Sequence, residues 1–213
     1  MVALSIYTDG SSSRDALNCG GWAYCVVQGT RMLWAASEGV TETSNNRMEL
    51  TAAIKSLGYV AKSALLRPGE GLELVSDSQY VVNYLAEDLR YAWAHLTDWK
   101  NAVGQDIANR DLWEHLEEVL CRLEARRIKV TFRWVRGHNG DRFNEHCDTL
   151  AVQAKKKLQL ALGVAPAEKR PRKSVGSATP AVTPGKSGRT RFVSPIASGA
   201  TTPSRGALSS PYR

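Results

Sequence analysis

At 213 residues and 43% hydrophobic side chains, the chain suits one domain of ordinary size with an appendage and is too short for two full domains. No apolar run of about 18 residues occurs, which excludes a membrane-spanning helix, and the opening "MVALSIYTDG" lacks the basic lead, long apolar stretch and cleavage site of a secretory signal. The net charge of +7 invites a polyanion-binding reading, but that charge is unevenly placed.

In chain order, "ALSIYTD" alternates Leu4 and Ile6 on one face and predicts a strand ending at Asp9-Gly10. Residues 20–27 and 31–40 predict two more strands joined at Gln28-Gly29-Thr30, hence an antiparallel hairpin. The spacing then turns helical over residues 44–66, with Ser44 or Asn45 as the cap and Met48, Ala52, Leu57 and Ala61 on one face. Pro68-Gly69 breaks that helix. Residues 71–77 predict a short strand ending at Asp77, and a helix begins at Ser78. A Trp-rich helical stretch (Trp93, Trp99) leads to an amphipathic helix over 111–125, with Leu112, His115, Leu116, Val119 and Leu123 near one stripe. Residues 128–135 predict the last strand and 144–157 the last helix, with Cys147, Leu150, Ala151 and Ala154 facing inward. The order βββαβαααβα describes an α/β domain, a mixed sheet with helices on its faces.

From Gly163 the composition changes, with seven of the eight prolines and almost no large apolar residues, so residues 163–213 are expected to form a disordered tail after a domain of residues 1–162. Nine of the 28 basic residues lie there against Glu168 alone, which places +8 on the tail and leaves −1 on the domain. The basic character of the chain is therefore a property of its tail. The four cysteines show no paired spacing, which fits a reduced, cytoplasmic compartment. A zinc site from His138, His146 and Cys147 is disfavoured, because adjacent helical residues point about 100° apart.

Asp9 and Asp77 stand at the C-terminal ends of predicted strands, where ligands gather in an open α/β sheet. Glu49 and Asp148 lie near helix starts among apolar neighbours, where an acid is expensive unless it is paired or metal-bound. Each has an ordinary reading as turn, cap or dipole complement. Together, with no Lys or Arg in matching positions, they suit a hard divalent cation such as Mg²⁺. Two such ions about 4 Å apart form the clamp used for in-line attack at phosphate, which points to a nuclease.

The segments "YTDGS", "NNRMEL", "SDSQYV", "DLW", "WVRGHNG" and "NEHCDTLA", in this order across residues 1 to about 160, resemble the successive motifs of type I ribonuclease H. The resemblance implies a ribonuclease H-like fold with a five-stranded mixed sheet whose first three strands are antiparallel. It also implies endonucleolytic cleavage of the RNA strand of RNA/DNA hybrids by a monomer, leaving 3′-hydroxyl and 5′-phosphate ends. Carried over residue by residue, the ligands of two Mg²⁺ ions, for which Mn²⁺ substitutes, fall on Asp9, Glu49, Asp77 and Asp148. Asp9 would bridge both ions, Asp148 would join the ion that activates water, and Glu49 and Asp77 would hold the other. Asn45, Asn46 and Gln79 match minor-groove contacts, Asn144 a polar residue beside the site, and Ser44 and Asn109 a pocket for a DNA phosphate. His138, set between glycines, matches a histidine that moves toward the activated water or the departing product.

Two departures from the family's pattern stand out. Residues 86–111 carry Arg90, Lys100 and Arg110 against five acids, where many bacterial members are strongly basic, and the loop from Asp9 to Gly20 is slightly longer. The tail, a contact for nucleic acid or a protein partner, is expected to replace part of the missing charge through counterion release. Its deletion should weaken hybrid binding at moderate salt and flatten the salt dependence; an unchanged slope refutes the idea. Two other readings remain at this point, a hybrid-binding module without catalysis and a nuclease of the same fold acting on DNA junctions.

Overall fold

Strand β1 (Val2–Ser12) pairs antiparallel with β2 (Gly20–Gln28), which pairs antiparallel with β3 (Arg31–Val40). On the other side of β1, β4 (Gly71–Ser76) and β5 (Lys129–Trp134) add in parallel, giving the sheet order β3-β2-β1-β4-β5. This is the expected five-stranded mixed sheet. The computed structural model describes residues 2–86, 97–101 and 103–165, all within one compact unit, Met1–Arg170. The expected tail beyond residue 165, Trp93 and Arg90 lie outside the described residues.

Among the described residues, four helices frame the sheet: α1 (Asn45–Lys62), α2 (Gln79–Ala86), α3 (Arg110–Ala125) and α4 (Arg142–Ala161). One face carries α1, backed by α3, while α4 crosses β1, β2 and β3 on the other. Strand β2 lies between these layers, and every residue from Gly20 to Val27 is buried, which accounts for its continuous apolar run. Ser44 caps α1, its Oγ accepting from Arg47 N at 3.4 Å. Asp141 caps α4 by accepting from Phe143 N and Asn144 N at 3.1 and 3.3 Å. No described helix is long and apolar enough to cross a membrane.

Four local expectations are corrected. Strand β1 does not stop at Asp9-Gly10 but continues along β2 to Ser12, because Gly10, Ser11 and Ser12 still pair with Trp22, Gly21 and Gly20. Its pairing with β4 does end at Thr8, opposite Ser76, so Asp9 emerges at the edge where the two parallel strands part. On α3 the buried stripe is Trp113, Leu116, Val119, Leu120 and Leu123, while His115 is exposed and Leu112 half-buried. The indole sets that rotation: Trp113 is 1% exposed, with Tyr84 and Tyr80 ring centroids at 4.0 and 5.2 Å. Truncating so large a core side chain typically costs about 3–5 kcal/mol. Trp99 is not helical; it sits in a turn at φ 58°, closed by the Lys100–Asp106 bridge. On α4, Cys147 and Ala151 are buried as expected, but Leu150 and Ala154 are only half-buried.

Candidate active site

The site begins with a backbone contact. A Cβ added at Gly10 would lie 2.4 Å from Glu49 N and 2.6 Å from Met48 C, so the end of β1 can meet the start of α1 only as glycine. That contact sets Glu49 beside Asp9. Asp77, the residue after β4, completes the group, and one ligand oxygen from each of Asp9, Glu49 and Asp77 lies within 4.8 Å of the others. The end of β5 fixes the backbone there, with Val135 N donating to Ser76 O at 3.1 Å and Trp134 Nε1 to Asp77 O at 3.0 Å.

Asp9 and Glu49 are each only 6% exposed, and no Lys or Arg ion pair reaches the three acids among the described residues. The hydrogen bonds they receive are few. Gly10 N donates to Asp9 Oδ1 at 2.7 Å, Asn45 Nδ2 to Glu49 Oε1 at 3.3 Å, and Asn144 Nδ2 to Asp77 Oδ2 at 3.2 Å. Glu49 Oε2 is buried with no partner. Burial first, then the Asp77 charge, lift the Asp9 carboxyl to about 7. Burial, Asp9 and Asp77 together push Glu49 well above the usual carboxylate range, against the opposing hydrogen bonds of Asn45 and Gly10. Clustered acids held at this cost, one with an orphaned oxygen, fit a divalent cation bound through oxygen.

Asp148 approaches from α4 and interacts with Asp9, with its side chain 37% exposed. His138 Nδ1 stands 3.9 Å from Asp148 Oδ2 on a side chain that is 81% exposed, and its φ of 53° is left-handed. Gly137 before it is packed against Asp77: a Cβ there would fall 2.5 Å from Asp77 Oδ2, so a larger residue would push that carboxylate aside. The zinc site disfavoured on sequence is not formed by these residues, because Cys147 turns its thiol to Tyr7 O at 3.3 Å and to Cys25 Sγ at 3.6 Å.

The remaining candidates surround this centre. Asn45 and Asn46 are exposed and line a shallow pocket with Ser44 and with Arg14 and Asn18 of the β1–β2 connection. Gln79 is exposed at the first residue of α2. Asn109 precedes α3 at φ 62°; its amide donates to Tyr80 OH at 3.0 Å and accepts from Arg47 Nη1 at 3.4 Å. Arg47, which sequence reading passed over, pairs with Asp111 through both guanidinium arms at 3.0 and 2.7 Å. In the poorly basic segment, Lys100 pairs with Asp106, and Arg110 contacts Asp98, Asp106 and Glu114. Its described cations are thus already matched by acids.

A ribonuclease H family model matches residues 1–156. The chain belongs to the type I ribonuclease H family. It is 39% identical over 164 residues to the ribonuclease H of Albidiferax ferrireducens, covering 76% of this chain and 98% of that protein. With the ribonuclease H of Treponema pallidum the identity is 35% over 165 residues, covering 72% and 90%. Among solved structures, LC9-RNase H1, described as a type 1 RNase H with the type 2 active-site motif, superposes with a TM-score of 0.57 at 26% identity over 78% of this chain and 77% of that one. Family membership makes the chain a ribonuclease H enzyme, acting on RNA in hybrids.

Proposed function

We propose that this ribonuclease H cleaves the RNA strand of RNA/DNA hybrids endonucleolytically in the cytoplasm, as a monomer, leaving 3′-hydroxyl and 5′-phosphate ends. One observation carries the reading: ligand oxygens of Asp9, Glu49 and Asp77 gather within 4.8 Å of one another, and no Lys or Arg pairs with them among the described residues. Asp9, Glu49, Asp77 and Asp148 would hold two Mg²⁺ ions, with Mn²⁺ as a substitute. When bound, such ions lower the pKa of an attacking water and offset charge on the leaving oxygen.

The chain's own groups supply the rest. Asn144 orients Asp77, and Asn45 steadies Glu49 while its exposed position leaves the amide free to exchange partners with substrate. Asn45, Asn46 and Gln79 carry amides that both donate and accept, which suits a minor groove with 2′-hydroxyls on one strand only. Ser44 and Asn109, joined through Arg47 and Tyr80 to the start of α3, form the proposed cradle for a DNA phosphate. His138 takes or delivers a proton at an imidazole nitrogen, on a backbone that reaches the acids without a side chain at Gly137.

The test is cleavage of end-labelled hybrid beside duplex RNA, duplex DNA and single strands, with Mg²⁺ and with EDTA. Only the hybrid with Mg²⁺ should be cut, and equal activity on duplex DNA refutes the reading. His138→Ala should slow single-turnover cleavage by about 10²-fold without changing the Mg²⁺ concentration for half-maximal activity. A shift in that concentration would make His138 a ligand instead of a proton carrier.

A further inference from the structure

The connection between β1 and β2 is fixed from two sides. Ser13 N donates to Cys19 O at 2.8 Å, closing the loop. Inside it, the Asp15 carboxylate accepts from Ser13 Oγ at 2.6 Å and from Leu17 N and Cys19 N at 3.0 Å each. A further donor comes from the far end of α4: Gln159 Nε2 reaches Asp15 Oδ2 at 2.6 Å and Ser13 Oγ at 3.0 Å. Gln159 is only 5% exposed. Burial opposes the Asp15 charge, but these hydrogen bonds outweigh it and hold the carboxyl below its ordinary value, so the anchor stays ionised. On the opposite side, Glu42 N and Thr43 N donate to Leu17 O and Asn18 O, at 2.8 and 3.1 Å, which ties the loop to the segment that enters α1.

This bonding leaves Arg14 exposed on the rim of the pocket that Ser44, Asn45 and Asn46 share, and no described residue forms an ion pair with it. The contrast with residues 97–111, where Lys100 and Arg110 are matched by acids, is one of availability. An unpaired guanidinium beside neutral amides suits a phosphate oxygen of a bound strand. We infer that residues 13–19 form a substrate arm in which Arg14 grips a backbone phosphate of the duplex and the Asp15–Gln159 bond from α4 holds the arm in place. Arg14 is then a binding residue, and Asp15 and Gln159 are positioning residues. The inference rests on the hybrid-cleaving reading and adds to it a cation that compensates for the neutralised segment.

Full-length chain should be compared as wild type, Arg14→Ala, Arg14→Lys, Gln159→Ala and the Arg14→Ala/Gln159→Ala double variant. Hybrid binding is measured with Ca²⁺ across a salt series, and steady-state cleavage with Mg²⁺. Arg14→Ala should weaken binding about 5- to 20-fold at low salt and lower the salt slope by about one. Its loss should fall on KM more than on kcat, and Arg14→Lys should recover part of it. Gln159→Ala should weaken binding in the same direction, and the double variant should be little worse than Arg14→Ala alone. An unchanged affinity and slope in the exposed Arg14→Ala variant, or full additivity in the double, overturns the inference while wild-type cleavage leaves the proposed function standing. A wild-type chain that neither binds nor cuts hybrid overturns both.

Discussion

Asp77→Asn should reduce kcat on RNA/DNA hybrid by about 10³-fold or more, a loss of about 4 kcal/mol of transition-state stabilisation, with the fold intact. The amide keeps the shape of the carboxylate but gives up the charge and one acceptor. Its environment tolerates the change, since the backbone at 77 is held by Trp134 Nε1 and the retained oxygen can still accept from Asn144 Nδ2. Single-turnover cleavage with Mg²⁺ beside a thermal melt checks both halves. Residual activity above about a tenth of wild type would remove Asp77 from the cation-binding set, and a collapsed melt would make its role structural.

Asp9→Asn should stabilise the metal-free protein at pH 8 by roughly 2–4 kcal/mol. The Asp9 carboxyl is raised from 3.8 to about 7 in the folded chain, by burial and then by Asp77. Between those values the folded state holds a proton that the unfolded state has released, so stability falls as pH rises through the window from about 4 to about 7. Above it the full cost of the buried charge is present. Urea unfolding in EDTA should therefore find wild type less stable at pH 8 than at pH 5 on this account, and the Asn variant less sensitive to the change. Added Mg²⁺ should raise the wild-type midpoint at pH 8 and leave that of Asp9→Asn nearly unmoved. A wild-type protein equally stable at both pH values, with no gain from Asn, would mean that the acids are not strained against one another.

The sheet was readable in advance because its strands follow simple rules: β2 is continuously apolar since both faces are covered, and the turn at Gln28-Gly29-Thr30 announces the hairpin. What was missed depends on three-dimensional neighbours. Trp113 enters the core because Tyr80 and Tyr84 offer it a slot, and no periodicity in α3 alone distinguishes that from a stripe through His115. The acids of the site were legible as residues out of keeping with their apolar surroundings. The glycines that permit their convergence were not, because Gly10 and Gly137 matter through atoms of Glu49 and Asp77 that are remote in sequence. Likewise, the matched charges on Lys100 and Arg110 and the Gln159–Asp15 bond are pairings across loops that composition does not reveal.

The close approach of Gly10 to the start of α1 divides the centre into a stiff half and a soft half. Asp9 and Glu49 are pinned by main chain meeting main chain inside the core, whereas His138 sits on an exposed turn after Gly137. Amide hydrogen exchange should register the difference: protons of β1 and α1 near Asp9 and Glu49 should exchange only through global unfolding, and those of residues 137–140 through small local openings. The cation-binding geometry would then persist for as long as the fold itself, while the proton-carrying group samples its positions many times within a single folded lifetime.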